Sequence, residues 1–282
     1  MLDKAYAMIM AGGKGERFWP LSTAKQPKQV LSLIGEKPLI ALAVDYLKGL
    51  IPPDRIIVIT SADLVGIIRK AAPRLPPENV IGEPVGRDTA AACALGLALV
   101  KARDAKAAFC VLTADHIIKD RDIFQRTLRE SFALASARDV LVTIGIKPTF
   151  PNTGFGYIEV AHPLAENSGI RFFQARRFVE KPDRRTAQRY MASGRFFWNA
   201  GMFIWSVESL ERAFKRHAPG LFRMASRMEA VAWTRGFYPR LGREYGRLEK
   251  ISVDYAIMEK SDNISMAQGK FRWDDVGSWP AL

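Results

Sequence analysis

The chain has 282 residues, 48% hydrophobic and 25% charged, a composition that excludes a disordered or collagen-like protein and leaves room for a substantial core. Its net charge is +13, and residues 171–250 alone carry 18 Lys and Arg against 7 Asp and Glu. Those arginines are scattered among aromatics and acids, without a reading helix or an RNA-module signature, so nucleic acid is not the expected partner.

From the N-terminus, the apolar run Ala5 to Met10 reads as a buried strand, followed by Ala11-Gly12-Gly13-Lys14-Gly15-Glu16-Arg17-Phe18-Trp19-Pro20. Three glycines let backbone N–H groups approach a ligand closely, which makes the turn an anion cradle. A dinucleotide-binding turn would open straight into a helix, and a P-loop would carry Gly-Lys-Ser/Thr at a helix start. Neither is present. Pro20 and Pro27 instead predict an extended loop that lays Lys14, Arg17, Lys25 and Lys28 around a polyanion.

Helical patterns at Leu39 to Leu47, Leu64 to Ala71, Thr89 to Lys101 and Ile123 to Ala137 alternate with strand-like runs at Arg55 to Thr60, Ala107 to Leu112 and Val140 to Ile146. Such alternation predicts parallel strands joined by right-handed crossovers, hence a doubly wound α/β sheet. After Pro148, Gly154 to Val160 and Ala175 to Val179 read as strands of a mixed or antiparallel extension, and Arg184 to Met191, Val207 to His217 and Val253 to Lys260 as helices. No repeat or linker divides the chain, so residues 1–282 read as one domain with a nucleotide half (1–150) and an acceptor half (151–282). Cys93 and Cys110 lie in apolar runs and read as core thiols of a reduced, cytoplasmic protein. No stretch reaches membrane-spanning length, so no membrane partner is expected.

In an open parallel sheet, ligands bind beyond the carboxyl ends of the strands, so polar residues just after apolar runs mark the site. In Gly82-Glu83-Pro84-Val85-Gly86-Arg87-Asp88-Thr89, Pro84 keeps Glu83 out of a helix and Asp88 or Thr89 can cap the alanine-rich helix that follows. A carboxylate at Glu83 could accept from two adjacent donors, which guanine offers and adenine lacks; as a plain loop acid it would do neither. Thr113-Ala114-Asp115-His116 delivers a carboxylate to the end of a buried strand, and Trp273-Asp274-Asp275 supplies its natural partner. Two such acids repel unless a cation joins them, and oxygen ligands with phosphate oxygens suit Mg²⁺. In Phe178-Val179-Glu180-Lys181-Pro182 the strand ends in an acid for sugar hydroxyls and an ammonium for a phosphate, with Pro182 holding Lys181 extended. Trp198-Asn199-Ala200-Gly201 adds an aromatic, an amide and a close-packing glycine. His116, His162 and His217 show no spacing of a ligand set or triad, and no general base is assigned.

Together these residues resemble the sugar-nucleotide pyrophosphorylases, most closely the bacterial mannose-1-phosphate guanylyltransferases. The resemblance spans nearly the whole chain: AGGKGERFWPLS at 11–22, PKQ at 27–29, EPVGRDTAAA at 83–92, TADH at 113–116, NTGFGYIE at 152–159, FVEKP at 178–182, WNAGMF at 198–203, SVDYAIMEK at 252–260 and WDDVGSW at 273–279. It implies a Rossmann-like, mixed but mostly parallel sheet flanked by helices, the nucleotide-diphospho-sugar transferase fold. It also implies that GTP and mannose 1-phosphate give GDP-mannose and pyrophosphate with Mg²⁺, by in-line attack of the sugar phosphate on the α-phosphorus.

Carried over residue by residue, Gly12, Gly13, Lys14, Gly15 and Arg17 would cradle the triphosphate, with Arg17 and Lys28 meeting the charge on the leaving group. Asp115 and Asp275 would hold the metal. Glu83 and the backbone around Gly86 would read guanine, Lys181 would hold the sugar phosphate, and Glu180, Asn199 and the Gly156 backbone would face mannose. The basic second half is then explained by two phosphorylated substrates. A homodimer is compatible with this reading.

The chain departs from the family pattern at Asp88, where Asn is usual, and at Thr113, where Pro is usual. It also stops seven residues after Asp275, whereas relatives continue into a helix and then a left-handed β-helix or an isomerase domain, so isomerase activity is not expected. A uridylyl- or thymidylyltransferase is the nearest alternative, disfavoured by Glu83. A non-catalytic nucleotide-sugar sensor is the other, disfavoured by the retention of both metal aspartates.

Overall fold

The structure is a computed structural model that describes residues 4–13, 18–23 and 26–276. The first half alternates β1 (Ala5–Met10), α1 (Leu39–Tyr46), β2 (Ile56–Ser61), α2 (Val65–Ala71), β3 (Val80–Glu83), α3 (Asp88–Lys101), β4 (Ala108–Thr113), β5 (His116–Ile118), α4 (Arg121–Ala137) and β6 (Leu141–Ile146). The second half adds β7 (Tyr157–Asn167), β8 (Ile170–Val179), α5 (Arg184–Ser193), β9 (Phe196–Ser206), α6 (Val207–His217), α7 (Pro219–Glu229), α8 (Phe237–Tyr245), α9 (Val253–Ala256), β10 (Ile264–Gly269) and β11 (Trp273–Asp275).

Nine strands form one sheet in the order β3-β2-β1-β4-β9-β6-β10-β8-β7, and β7 also pairs with β9. β1 to β4 are mutually parallel, β6 and β10 form a second parallel pair, and β9 runs antiparallel between the two blocks. This is the expected α/β architecture, a mostly parallel central sheet flanked by helices.

The apolar runs are buried on both faces, and alternate residues enter different cores. Ala5, Ala7 and Ile9 of β1 join α1, α2 and α4 on one side, while Tyr6 and Met8 join α3, α6 and α7 on the other. Every residue of α3 from Ala90 to Val100 is buried, because it lies between the sheet and an outer layer of helices. Gly96 permits that fit: a Cβ there would meet Met8 Sδ at 2.2 Å.

The first-half elements that were expected fall within two residues of their predicted bounds, while β3 and β5 form where no strand was expected. In the second half α7, α8, β9 and β10 form where no element was expected, and the predicted Trp198-Asn199-Ala200-Gly201 patch lies inside β9, an eleven-residue central strand. Gly201 does not pack closely: nothing lies within 4 Å of a Cβ built there, and its φ of 62° gives the conformational reason for glycine. The predicted helix Val253 to Lys260 divides into α9 and a separate 3₁₀ turn, Met258–Lys260. Among the described residues, no helix is long and apolar enough to cross a membrane.

Candidate active site

The carboxyl ends of β1, β3 and β4 carry the first half of the site. Ala11 is pinned by its N–H to the Ile59 carbonyl at 2.8 Å and by Thr60 Oγ1 to its own carbonyl at 2.9 Å. Gly13, at φ 95°, takes a left-handed turn that glycine accepts without strain. Gln29 Nε2 donates to the Gly12 carbonyl, so the PKQ segment braces the glycine turn. Lys14, Gly15, Arg17 and Lys25 lie outside the described residues.

Lys28, beside Gln29, is buried rather than extended toward solvent. Its ammonium pairs with the Asp115 carboxylate and donates to the Val276 carbonyl at 3.3 Å. Asp115 follows β4, and its carbonyl accepts from the Val276 N–H at 3.3 Å. β11 then pairs antiparallel with β5, setting Asp275 directly opposite His116. Directly opposed residues of an antiparallel pair project to one face, and Asp274, next in line, is exposed.

One ligand atom each from Asp115, His116 and Asp275 lies within 4.8 Å of the others. His116 Nδ1 is buried without a hydrogen-bond partner. Burial holds the imidazole below its usual pKa, which favours the neutral form that binds metals. Burial alone would raise Asp115, but the charges of His116 and Lys28 bring it below the usual carboxylate range. Two carboxylates and a neutral imidazole form a donor set that fits a divalent cation. His116 was missed by spacing alone because its partner acid arrives from 159 residues away through strand pairing.

Glu83 ends β3, half-buried, and its Oε1 accepts from the Tyr245 hydroxyl. Burial pushes the Glu83 carboxyl up to about 7, with the Tyr245 bond opposing the rise. Neither Asp88 nor Thr89 caps α3 as expected: Asp88 Oδ1 accepts from the adjacent Thr89 N–H at 2.8 Å, and Thr89 Oγ1 accepts from the Val253 N–H at 2.8 Å. The loop is stitched to α9 instead. Asp88 adopts φ 65°, a left-handed conformation that Asn and Asp tolerate best among residues with a side chain. Gly86 is exposed in this loop.

The third group comes from β7, β8, β9 and α9. The Asn199 N–H donates to the Gly156 carbonyl at 2.8 Å, and Asn199 Nδ2 donates to Asp254 Oδ1 at 2.8 Å. A Cβ on Gly156 would sit 2.5 Å from Glu180 Oε1, so glycine is required for this approach. Asp254 is raised to about 6 by burial and by the nearby Glu180 charge, against the pull of Asn199. Lys181 Nζ pairs with Glu180 Oε2 at 3.2 Å and is largely exposed. Its backbone is not extended as expected before proline: φ is 40°, a strained value held at the exit of β8.

The profile of the nucleotidyl transferases matches residues 6–282. The chain belongs to the nucleotidyl transferase family. It is 35% identical over 285 residues to the mannose-1-phosphate guanylyltransferase of Escherichia coli K12, covering 99% of this chain and 59% of that protein. Identity to the Salmonella montevideo enzyme of the same name is 37% over 280 residues, covering 98% of this chain and 58% of that protein. The chain thus spans less than two thirds of these relatives. A solved structure described as mannose-1-phosphate geranyltransferase from Thermus thermophilus superposes with a TM-score of 0.88 at 35% identity, over 99% of this chain and 78% of that one.

Nucleotidyl transferases of this family generally use a divalent metal. In this member the metal-fitting group and the Asn199 group are joined by a ladder of rings. His116 packs on Trp273, Trp273 on Phe155, and Phe155 on Trp198, with centroids 5.2–5.3 Å apart. Burial raises the Cys93 thiol most, and the charges of Asp254 and Glu83 add to the rise. Sequence reasoning missed Gln29, Tyr245 and Asp254. Gln29 and Asp254 lay inside quoted motifs; Tyr245 lay in none. Many arginines of the basic second half serve local ion pairs, as with Arg176, Arg177 and Arg195 around the buried Glu159.

Proposed function

We propose that this nucleotidyl transferase makes GDP-mannose and pyrophosphate from GTP and mannose 1-phosphate. The observation that carries the reading is the meeting of Asp115 and Asp275, far apart in sequence, beside Lys28 and His116. Relatives named mannose-1-phosphate guanylyltransferase support the choice of substrates.

In this reading residues 1–150 bind the nucleotide and residues 151–282 the sugar phosphate, within one domain. Gly12, Gly13, Lys14, Gly15 and Arg17 cradle the triphosphate, and Glu83 with the Gly86 backbone accepts guanine. Lys181 leaves its contact with Glu180 to hold the sugar phosphate. Glu180, Asn199 and the Gly156 backbone position the mannose hydroxyls, and Asn199 arrives with its amide already oriented by Asp254. Orientation of this kind converts binding into rate by holding the attacking oxygen in line.

Asp115 and Asp275 would hold Mg²⁺; the ion, when bound, neutralises charge on the phosphate oxygens. The attacking phosphate oxygen is already anionic near neutral pH, so no side chain need act as base. It displaces pyrophosphate from the α-phosphorus with inversion, and Arg17 and Lys28 stabilise the charge that moves to the leaving group. The reaction is assigned to the cytoplasm, consistent with two buried free cysteines, and the chain is free to act as a homodimer. Pyrophosphate release across a matrix of nucleoside triphosphates and sugar 1-phosphates tests the reading: GTP with mannose 1-phosphate should be preferred, and preference for UTP or dTTP would overturn it.

A further inference from the structure

The C-terminal end of α8 grips the base loop twice. Tyr245, fully buried, donates its hydroxyl to Glu83 Oε1. The Tyr245 carbonyl accepts from Arg87 Nε at 3.3 Å, and the Gly246 carbonyl accepts from Arg87 Nη2. One turn of helix, 162 residues downstream of Glu83, therefore fixes both ends of Glu83-Pro84-Val85-Gly86-Arg87.

A lone glutamate at a strand end is free to rotate about its terminal bond, and a rotating carboxylate discriminates poorly between base edges. A carboxylate offers about four lone-pair sites, of which the Tyr245 hydroxyl takes one. We propose that Tyr245 is a positioning residue for nucleobase selection, setting the plane of the Glu83 carboxylate so that its remaining lone pairs meet two adjacent donors of a purine edge. The proposal rests on the reading of Glu83 as the guanine acceptor. The main-chain hold on Arg87 keeps the loop in register while the hydroxyl sets the acid, so the two contacts have separable effects. Removing the hydroxyl leaves the ring, and hence the core around α8, in place.

The test compares GTP with inosine triphosphate, which lacks the 2-amino donor, in wild type, Tyr245→Phe and Glu83→Gln. KM is measured for each nucleotide and for mannose 1-phosphate, with thermal unfolding of each variant and equilibrium binding of both nucleotides alongside. Tyr245→Phe should reduce the preference for GTP over inosine triphosphate about tenfold, the size of one lost hydrogen bond to a charged group. KM for mannose 1-phosphate should stay at the wild-type value, which general destabilisation would not spare. If Glu83→Gln loses the preference while Tyr245→Phe retains it, the positioning role is overturned and the reading of Glu83 stands. If both retain it, the reading of Glu83 fails and the positioning role fails with it.

Discussion

Asn199 Nδ2 donates to Asp254 Oδ1 at 2.8 Å, joining the central strand β9 to α9 across 55 residues of sequence. The acceptor is a half-buried acid whose pKa rises to about 6, chiefly through loss of solvation and next through the charge of Glu180. The fold therefore penalises its charged form. That penalty is absent below the ordinary aspartate range, grows as pH rises, and is complete above about pH 6. Asp254→Asn keeps an acceptor but carries no charge, so it should raise unfolding free energy by up to about 3 kcal/mol at pH 7.5. Denaturant titrations should show the gain shrinking toward pH 4; a gain independent of pH would remove burial of charge as its cause.

Gly156→Ala places a methyl 2.5 Å from Glu180 Oε1 and 3.5 Å from Asn199 Cβ. The first clash is with the far end of a flexible side chain, so the protein should fold while Glu180 is displaced. KM for mannose 1-phosphate should rise about tenfold, on the scale of one or two lost hydrogen bonds, with KM for GTP unchanged. Equal losses for both substrates would place Gly156 outside the sugar subsite.

Much of the fold was legible because buried parallel strands and their crossover helices are written as local apolar runs. β1, β2, β4 and β6 needed no distant information. β9 was not legible, since Asn199 and Gly201 interrupt the apolar run from Phe196 to Ser206 and make it read as a site patch instead of a strand. The site was legible where a polar residue ends an apolar run, as at Glu83 and Asp115. It was not legible where function depends on pairing: His116 gains its meaning only when β11 delivers Asp275 opposite it, and Tyr245 only when α8 folds back over β3. The conformation of Lys181 ran against the local rule for a residue before proline, and strain of that kind is imposed by tertiary contacts.

Lys28 compensates Asp115 in a nearly dry setting, with its side chain only 9% exposed. Lys28→Met leaves that carboxylate without its cation, at a cost of about 3 kcal/mol. Thermal unfolding in chelator should show the loss, and added Mg²⁺ should recover part of it through Asp115 and Asp275. A loss insensitive to Mg²⁺ would count against a metal shared by those two acids.

Glu83 titrates near 7 because burial raises it. Tyr245 and Cys93, which face it, are themselves raised by burial and stay protonated through this range. If Glu83 is the guanine acceptor proposed above, its carboxylate is the accepting form, so GTP affinity should climb from pH 6 to pH 7.5 and level off above pH 8, by at most about tenfold per unit on the rising limb. Calorimetric titrations of inosine triphosphate into wild type, and of GTP into Glu83→Gln, should both give flatter profiles. The same slope in all three would assign the titration to the triphosphate.

In the proposed reaction, one site joins two substrates through Asp115 and Asp275. The most direct measurement quantifies GDP-mannose and pyrophosphate together, from GTP, mannose 1-phosphate and Mg²⁺, in wild type and in Asp115→Asn. Wild type should give equal amounts of the two products, and a folded Asp115→Asn should lose at least about a thousandfold. Pyrophosphate without GDP-mannose, or near-normal turnover in the variant, would contradict that arrangement.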